Sequence, residues 1–273
     1  MRPQAGPSAG RGRVLAIAGS DSGGGAGIQA DIKTITALGG YAACAITAIT
    51  VQNTLGVERV FALPADLVAG QARAVLADIG ADAIKTGMLG DLATVEAVAE
   101  VLRAFPAIPL VLDPVMTAKG GATLLEAEAV RSLKAELLPR AFLLTPNAPE
   151  AAALTGLAVE SHDDARRAAE ALLRMGSGAV LMKGGHIGGE RVIDLLVTPA
   201  GETVFEGPRI DTRHTHGTGC TLASACAVGL AQGLPLTDAV ARAWAYLAEA
   251  IRSAPGLGAG AGPLDHGWPL RRP

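Results

Sequence analysis

Aromatic side chains are almost missing from this sequence: two Trp, two Tyr and four Phe among 273 residues. With a formal net charge of −3, that scarcity argues against nucleic acid, which calls for a basic face and rings on which bases stack. Long hydrophobic runs are missing too. Although 49% of the residues are hydrophobic, no apolar stretch reaches the ~20 residues of a membrane-crossing helix. Cysteine is confined to Cys44, Cys220 and Cys226, an odd number without C-x-x-C spacing. That excludes a disulfide framework and a structural zinc site, and suits a reducing cytoplasm. Lysine is scarce, with Lys33, Lys85, Lys119, Lys134 and Lys183 making up five of the 23 basic residues. A lysine at the end of an apolar run therefore stands out.

What is present is a hydrophobic content large enough for one extended core. Residues 1–12 are rich in Pro, Gly and Arg with no apolar signal segment, and read as a frayed tail before a single domain at 13–273. Short β-type runs at 14–18, 43–51, 57–63, 82–85, 110–112, 142–144, 179–182, 192–197 and 203–205 alternate with helical patterns. The helical patterns fall at 28–38, 66–77, 93–104, 125–137, 164–175, 221–232 and 237–253. Several runs, such as Val180-Leu181-Met182, are apolar on consecutive residues rather than on alternate ones. That marks a mostly parallel sheet covered by helices on both faces, an α/β architecture whose ligands bind beyond the carboxyl ends of the strands. The runs at 192–197 and 203–205, joined through Pro199-Ala200-Gly201, read as an added hairpin.

The polar and glycine-rich residues fall where strands should end. His214-Thr215-His216-Gly217-Thr218-Gly219-Cys220-Thr221 opens a long small-residue run, so Gly-x-Gly feeds a helix N-terminus whose free N–H groups attract an anion. A cysteine on that first turn is expected to feel the same field, lowering its pKa. Upstream, Gly19-Ser20-Asp21-Ser22-Gly23-Gly24-Gly25-Ala26-Gly27 gives a backbone that a ligand can approach, without the closing Lys-Ser/Thr of a P-loop. Gln52 closes another run, and its amide can read a ring edge that pairs an amino group with a ring nitrogen. Asp113, held extended before Pro114, is a carboxylate suited to Mg²⁺ or to capping a turn. Asn147 is placed to cap a helix starting near Pro149, with Glu150 either complementing the helix dipole or holding a metal-bound water. Lys183, after an apolar run and before two glycines, suits a phosphate, or else snorkels at the sheet margin. His214 and His216 lack a third partner for a metal, so solvent or phosphate contacts are expected for them. An amide, carboxylates, an ammonium and an anion-binding helix start on one sheet edge form the layout of a phosphotransfer site.

Seven segments occur in one order: residues 18–31, Gln52-Asn53-Thr54-Leu55-Gly56-Val57, Lys85-Thr86-Gly87-Met88-Leu89, Asp113-Pro114-Val115-Met116, Thr145-Pro146-Asn147, Lys183-Gly184-Gly185-His186 and residues 215–221. Together they closely resemble the bacterial hydroxymethylpyrimidine/phosphomethylpyrimidine kinases of thiamine biosynthesis, within the ribokinase-like family. The resemblance runs from about Val14 to Ala250. It implies a helix-sandwiched, mostly parallel sheet, a homodimer, and Mg²⁺-dependent transfer from ATP to 4-amino-5-hydroxymethyl-2-methylpyrimidine and then to its monophosphate. By position it implies that Gln52 binds the pyrimidine, with Gly19, Asp31, Met88 and Val115 lining the pocket. It further implies that Lys183, Asn147 and Thr215 face the ATP phosphates, with Glu150 and Asp113 toward magnesium. Gly217, Thr218 and Gly219 would form the anion hole, and Cys220 would be the base where most ribokinase relatives carry aspartate. Thr117, Gly120 and His214 read as tolerated variants.

Other readings remain at this stage. Cysteine at this position also matches some pyridoxal-phosphorylating relatives, so a pyridoxal kinase is the alternative substrate assignment. A Cys-dependent hydrolase with His186 or His216 as partner is a second class, and a non-catalytic ligand sensor a third. Neither of these last two uses the lysine, the carboxylates and both glycine-rich segments together.

Overall fold

A computed structural model of the chain describes residues 11–117 and 125–271. Gly120 and residues 1–10 of the expected tail lie outside them. The Gly12 carbonyl accepts the N–H of Tyr41 at 2.9 Å.

In chain order the elements are β1 (Arg13–Ser20), α1 (Gly27–Ala37), β2 (Tyr41–Asn53), β3 (Gly56–Ala62), α2 (Ala65–Asp78), β4 (Ala83–Thr86), α3 (Leu92–Arg103) and β5 (Leu110–Leu112). After the undescribed segment come α4 (Ala127–Ser132), β6 (Ala141–Leu144), α5 (Ala148–Thr155), α6 (His162–Arg174) and β7 (Val180–Met182). The hairpin β8 (Arg191–Thr198) and β9 (Gly201–Pro208) follows, then α7 (Thr218–Ala231) and α8 (Leu236–Arg252). The helix expected to run to residue 137 instead passes from α4 into a π turn (Leu133–Leu137) and a 3₁₀ turn (Leu138–Arg140). Pro139 has no N–H to continue the ladder.

One nine-stranded sheet has the order β3-β2-β1-β4-β5-β6-β7-β8-β9. Its centre, from β2 through β7, is parallel, while β3, β8 and β9 are antiparallel additions. The consecutive apolar residues have a clear physical reason. Leu15 and Ile17 of β1 join the core under α2–α6, whereas Val14 joins the core under α1, α7 and α8. In β7, Val180 and Met182 face the first layer and Leu181 the second. With both faces covered, a polar side chain on a central strand is costly unless it is paired, as Lys85 of β4 is with Asp31. Helix α7 shows the same pressure, being buried from Thr221 through Gly229 on all sides, which accounts for its run of Ala, Cys, Ser and Gly.

Candidate active site

The parallel strands all point the same way, and their carboxyl ends carry the chemistry. β1 ends at Ser20, β4 leads to Met88, β5 to Asp113, β6 to Asn147 and β7 to Lys183. Two adjoining cavities open there. One, of 280 Å³, is lined by Gly19, Gln52, Met88, Val115 and Cys220, with Asp113 and Lys183 at its far end. The other, of 760 Å³, runs past Arg209, Asp211, Thr212 and Trp244. Asn147, Lys183, Thr215, Thr218 and Gly219 line both, so the two meet at a lysine and a helix start.

That junction is an electrostatic balance. Lys183 Nζ lies 2.9 Å from Asp113 Oδ1 and 3.6 Å from Glu150 Oε2. Burial would pull the ammonium down, but Asp113 and Glu150 outweigh it and hold Lys183 above the ordinary lysine value. Glu150 is raised, by burial first and by repulsion from Asp113 in addition, against the pull of Lys183. Thr145 donates its hydroxyl to Asp113 Oδ1 at 3.0 Å. Asn147 and Glu150 form a capping box, with Asn147 Oδ1 accepting the Glu150 N–H at 2.9 Å and Glu150 Oε2 accepting the Asn147 N–H at 2.8 Å. The capping expected of Asn147 thus also fixes the Glu150 carboxylate. No side chain caps α7, whose N-cap Gly217 is left-handed at φ +86°. The helix start therefore offers its N–H groups to a ligand.

Two carboxylates against one ammonium leave a negative charge uncompensated, and oxygen donors beside an anion-binding helix start fit Mg²⁺ carried with phosphate. Among the described residues no cluster of three or more His, Cys, Asp or Glu side chains is placed to hold a metal. An ion here would take its remaining ligands from phosphate and water, as Mg²⁺ commonly does.

At the inner end of the smaller cavity, Cys220 sits on the first turn of α7, half-buried. The expected lowering of its pKa is not found. Burial pushes the thiol up to about 11, with Lys85 pulling it down and Asp31 and Asp113 adding to the rise. Asp31 does not line the cavity. It is fully buried behind it, on the inner face of α1, where its carboxylate takes Lys85 Nζ at 2.8 and 3.0 Å and the Ser224 hydroxyl at 2.7 Å. Burial would strip the Lys85 ammonium of its proton, but Asp31, then Cys220 and Asp113, hold its pKa above the ordinary lysine value. Lys85, on β4 with no exposed surface, is thus a fixed cation behind the thiol.

Four features escaped the sequence reading. Asp21, in the first glycine-rich loop, accepts the N–H groups of Gly23, Gly25 and Ala26 at 2.7–3.0 Å and faces His216 Nε2 at 2.8 Å. Burial would raise its pKa, but these donors, His216 foremost, hold it below the usual carboxylate range. His216, expected to meet solvent or phosphate, instead lies between Asp21 and Gln52. Arg209 donates to the carbonyls of Gly185, Ile187 and Gly189, pinning the turn after Lys183. The segment 260–266 ties the site from outside. Ala261 N–H donates to the Thr54 carbonyl at 2.9 Å, His216 N–H to the Gly262 carbonyl at 3.1 Å, and His266 Nε2 lies 3.0 Å from Thr221 Oγ1. The Asp21-Ser22-Gly23 turn was a usable sequence signal for Asp21, because Asp there receives loop N–H groups. His216 and the 260–266 contacts are tertiary and left no local trace.

Comparison with known proteins agrees with this geometry. The family model described as phosphomethylpyrimidine kinase matches residues 21–265. The chain belongs to the phosphomethylpyrimidine kinase family. The hydroxymethylpyrimidine/phosphomethylpyrimidine kinase of Streptomyces coelicolor is 51% identical over 257 residues, covering 94% of this chain and 95% of that one. The thiamine biosynthesis bifunctional protein ThiED of Geobacter sulfurreducens is 50% identical over 94% of this chain, which spans only 52% of that longer protein. Among solved structures, the phosphomethylpyrimidine kinase of Clostridium difficile superposes with a TM-score of 0.79 at 42% identity, over 88% of this chain and all of that one. The ADP complex of Bacillus subtilis pyridoxal kinase superposes with a TM-score of 0.88 at 35% identity, over 94% of this chain and 97% of that one. Family membership makes the chain a kinase and sets aside the hydrolase and sensor readings.

Proposed function

We propose that this kinase transfers the γ-phosphoryl group of ATP to the hydroxymethyl group of 4-amino-5-hydroxymethyl-2-methylpyrimidine, and then phosphorylates the monophosphate to the diphosphate for thiamine synthesis. The observation that carries the reading is the junction at Lys183. A 280 Å³ chamber with an amide on its wall suits a small heteroaromatic alcohol, and the 760 Å³ cavity beyond the lysine suits a nucleotide. The reacting oxygen and the γ-phosphorus meet where both cavities share Lys183, Thr218 and Gly219.

Each residue then has a physical task. Gln52 pairs with the pyrimidine edge, and Gly19, Met88 and Val115 shape the chamber around the ring. Thr215 and Asn147 border the nucleotide, and Lys183 follows the phosphate as charge moves from γ- to β-oxygens. The N–H groups of Gly217, Thr218 and Gly219 receive the equatorial oxygens of the transferring group, stabilising them without reorganisation. Asp113 and Glu150 are the residues that would hold Mg²⁺, which when bound neutralises phosphate oxygens. Cys220 takes the acceptor hydroxyl's proton. Loose phosphoryl transfer releases that proton late, so the base matters less than alignment until bonding begins.

The enzyme works as a homodimer through the outer face of β2 and β3. Ile49 pairs with Phe61 across that ribbon, Val51 shares their face, and all three are exposed. The same reading makes it cytoplasmic, with Cys44, Cys220 and Cys226 free as thiols. Among the described residues no helix is long and apolar enough to cross a membrane.

The test is ADP release by the purified protein with ATP and Mg²⁺, with and without the pyrimidine. Pyrimidine-dependent release that stops with EDTA is expected. Pyridoxal as the clearly better acceptor would assign the alternative substrate, and EDTA-resistant turnover would remove the metal from the reading.

A further inference from the structure

The backbone of Gln52 is held on both sides by one hydroxyl. Ser22 Oγ accepts the Gln52 N–H at 2.8 Å and donates to the Gln52 carbonyl at 2.7 Å. Only the side-chain amide is left to be set, and it sits against His216, with the amide nitrogen placed 2.9 Å from the ring's Nε2. That same Nε2 faces Asp21 Oδ2 at 2.8 Å.

The two contacts compete for one atom. A bare Nε2 would point its lone pair at a carboxylate oxygen, an arrangement that is repulsive, so the hydrogen resides on Nε2 and is directed at Asp21. A protonated Nε2 cannot accept from an amide –NH₂. A half-turn of the amide exchanges its oxygen and nitrogen without moving any other atom, so the network decides which one faces the ring. Oxygen is the only choice that leaves no donor against a donor.

We propose that His216, oriented by Asp21, is a positioning residue that locks the Gln52 amide with its oxygen toward the imidazole and its –NH₂ toward the acceptor. This rests on the assignment of the smaller cavity to the pyrimidine. Gln52 Oε1 has a second lone pair, so the locked amide presents an acceptor beside a donor in fixed order. That order matches a ring edge with an exocyclic amino group next to an unprotonated ring nitrogen, and mismatches the reverse order. The relay spans both glycine-rich loops, because His216 packs on Gly25, where a Cβ would come within 2.6 Å of its ring. Acceptor choice is thereby made partly by a residue in the anion-binding loop.

The experiment is a double-mutant cycle on the full chain. It reads pyrimidine kcat/KM, KM for ATP, and pyrimidine binding by calorimetry in wild type, His216→Leu, Gln52→Leu and the double variant. His216→Leu is expected to lower pyrimidine kcat/KM and affinity about 10–100-fold, the range of one or two mismatched hydrogen bonds, with KM for ATP nearly unchanged. The double variant should be no worse than Gln52→Leu alone, since His216 acts only through that amide. His216→Gln, which again places an N–H near Oδ2 of Asp21 and the Gln52 oxygen, should recover most of the loss. Additive losses, a rise in KM for ATP matching that for pyrimidine, or no recovery with glutamine would overturn the inference. Should the leucine variant not fold, His216→Ala, which leaves space rather than crowding, runs the same cycle. A wild type that fails to bind the pyrimidine sinks the acceptor reading itself, a result separable from additivity in an active enzyme.

Discussion

Gly217 and Gly25 touch backbone to backbone: a Cβ on Gly217 would lie 1.8 Å from the Gly25 carbonyl oxygen. Gly217 is also left-handed, at φ +86°. The loop shaping the acceptor chamber and the loop heading α7 are therefore fitted to each other. Gly217→Ala has to move one of them, and misplacement on the scale of an ångström costs about 10²-fold in rate. A steady-state assay should show kcat falling by at least about that factor, with far-UV circular dichroism unchanged. Near-wild-type kcat would mean that the close approach is not needed for turnover.

Lys183→Ala should lower kcat and weaken ATP binding together, because the ammonium meets charge that grows during transfer. It also leaves Asp113 and Glu150 facing each other without a cation, so raised Mg²⁺ is expected to offset part of the weaker nucleotide binding. Lys183→Arg should rescue poorly, as a planar fork cannot follow a moving charge as a point ammonium does. Isothermal titration with a non-hydrolysable nucleotide separates the two effects. Full activity in the alanine variant would return Lys183 to a sheet-margin role.

Cys220 gives a prediction in pH. With burial holding its thiol up to about 11, the basic form is a small fraction at neutrality and grows about tenfold per pH unit. If the thiolate takes the proton, log kcat rises with pH and reaches no plateau below about pH 9. Cys220→Asp, a carboxylate with an ordinary pKa near 4, should flatten the profile while restoring part of the activity lost in Cys220→Ala. Loss in the alanine variant is expected at about 10²–10⁴-fold in kcat with pyrimidine binding retained. A pH profile for Cys220→Asp as steep as wild type would place the titration elsewhere.

The Lys85–Asp31 pair should be a stability element whose halves are not separable. Lys85→Met leaves an uncompensated carboxylate in a site with no exposed surface, and such a break costs about 3–5 kcal/mol. Lys85→Met with Asp31→Leu removes both charges and should recover a substantial part of that. Urea unfolding midpoints at constant slope measure the difference. Equal destabilisation in the single and double variants would mean that packing, not charge, holds the site.

Sequence and structure agree most closely where the physics is local. All nine strands were legible, and 110–112 falls on β5 residue for residue, because a two-sided strand writes its burial into consecutive apolar positions. The hairpin at 192–205 was legible instead from the Pro-Ala-Gly turn between its arms, its second strand being largely exposed. Strand ends carrying Asp113, Asn147 and Lys183 were readable from the residues that interrupt apolar runs. Asp31 was misplaced because a carboxylate on a helix next to a glycine loop looks the same from sequence whether it faces a cavity or a buried lysine. Its partner Lys85 is 54 positions away. His216 and Asp21 are 195 positions apart, and no spacing rule reaches that far.

The contacts of segment 260–266 with Thr54, His216 and Thr221 have a consequence for how the enzyme comes into being. Synthesis proceeds from the N-terminus, and the strands that form the sheet's centre emerge long before residue 266 does. The end of β2 that carries Gln52 and the first turn of α7 lack those external ties until the last of this segment has left the ribosome. Translation thus places completion of the catalytic centre after residues 260–266 have emerged, when the scaffold can already have formed. A nascent chain stalled short of residue 260 would carry a sheet but no finished kinase.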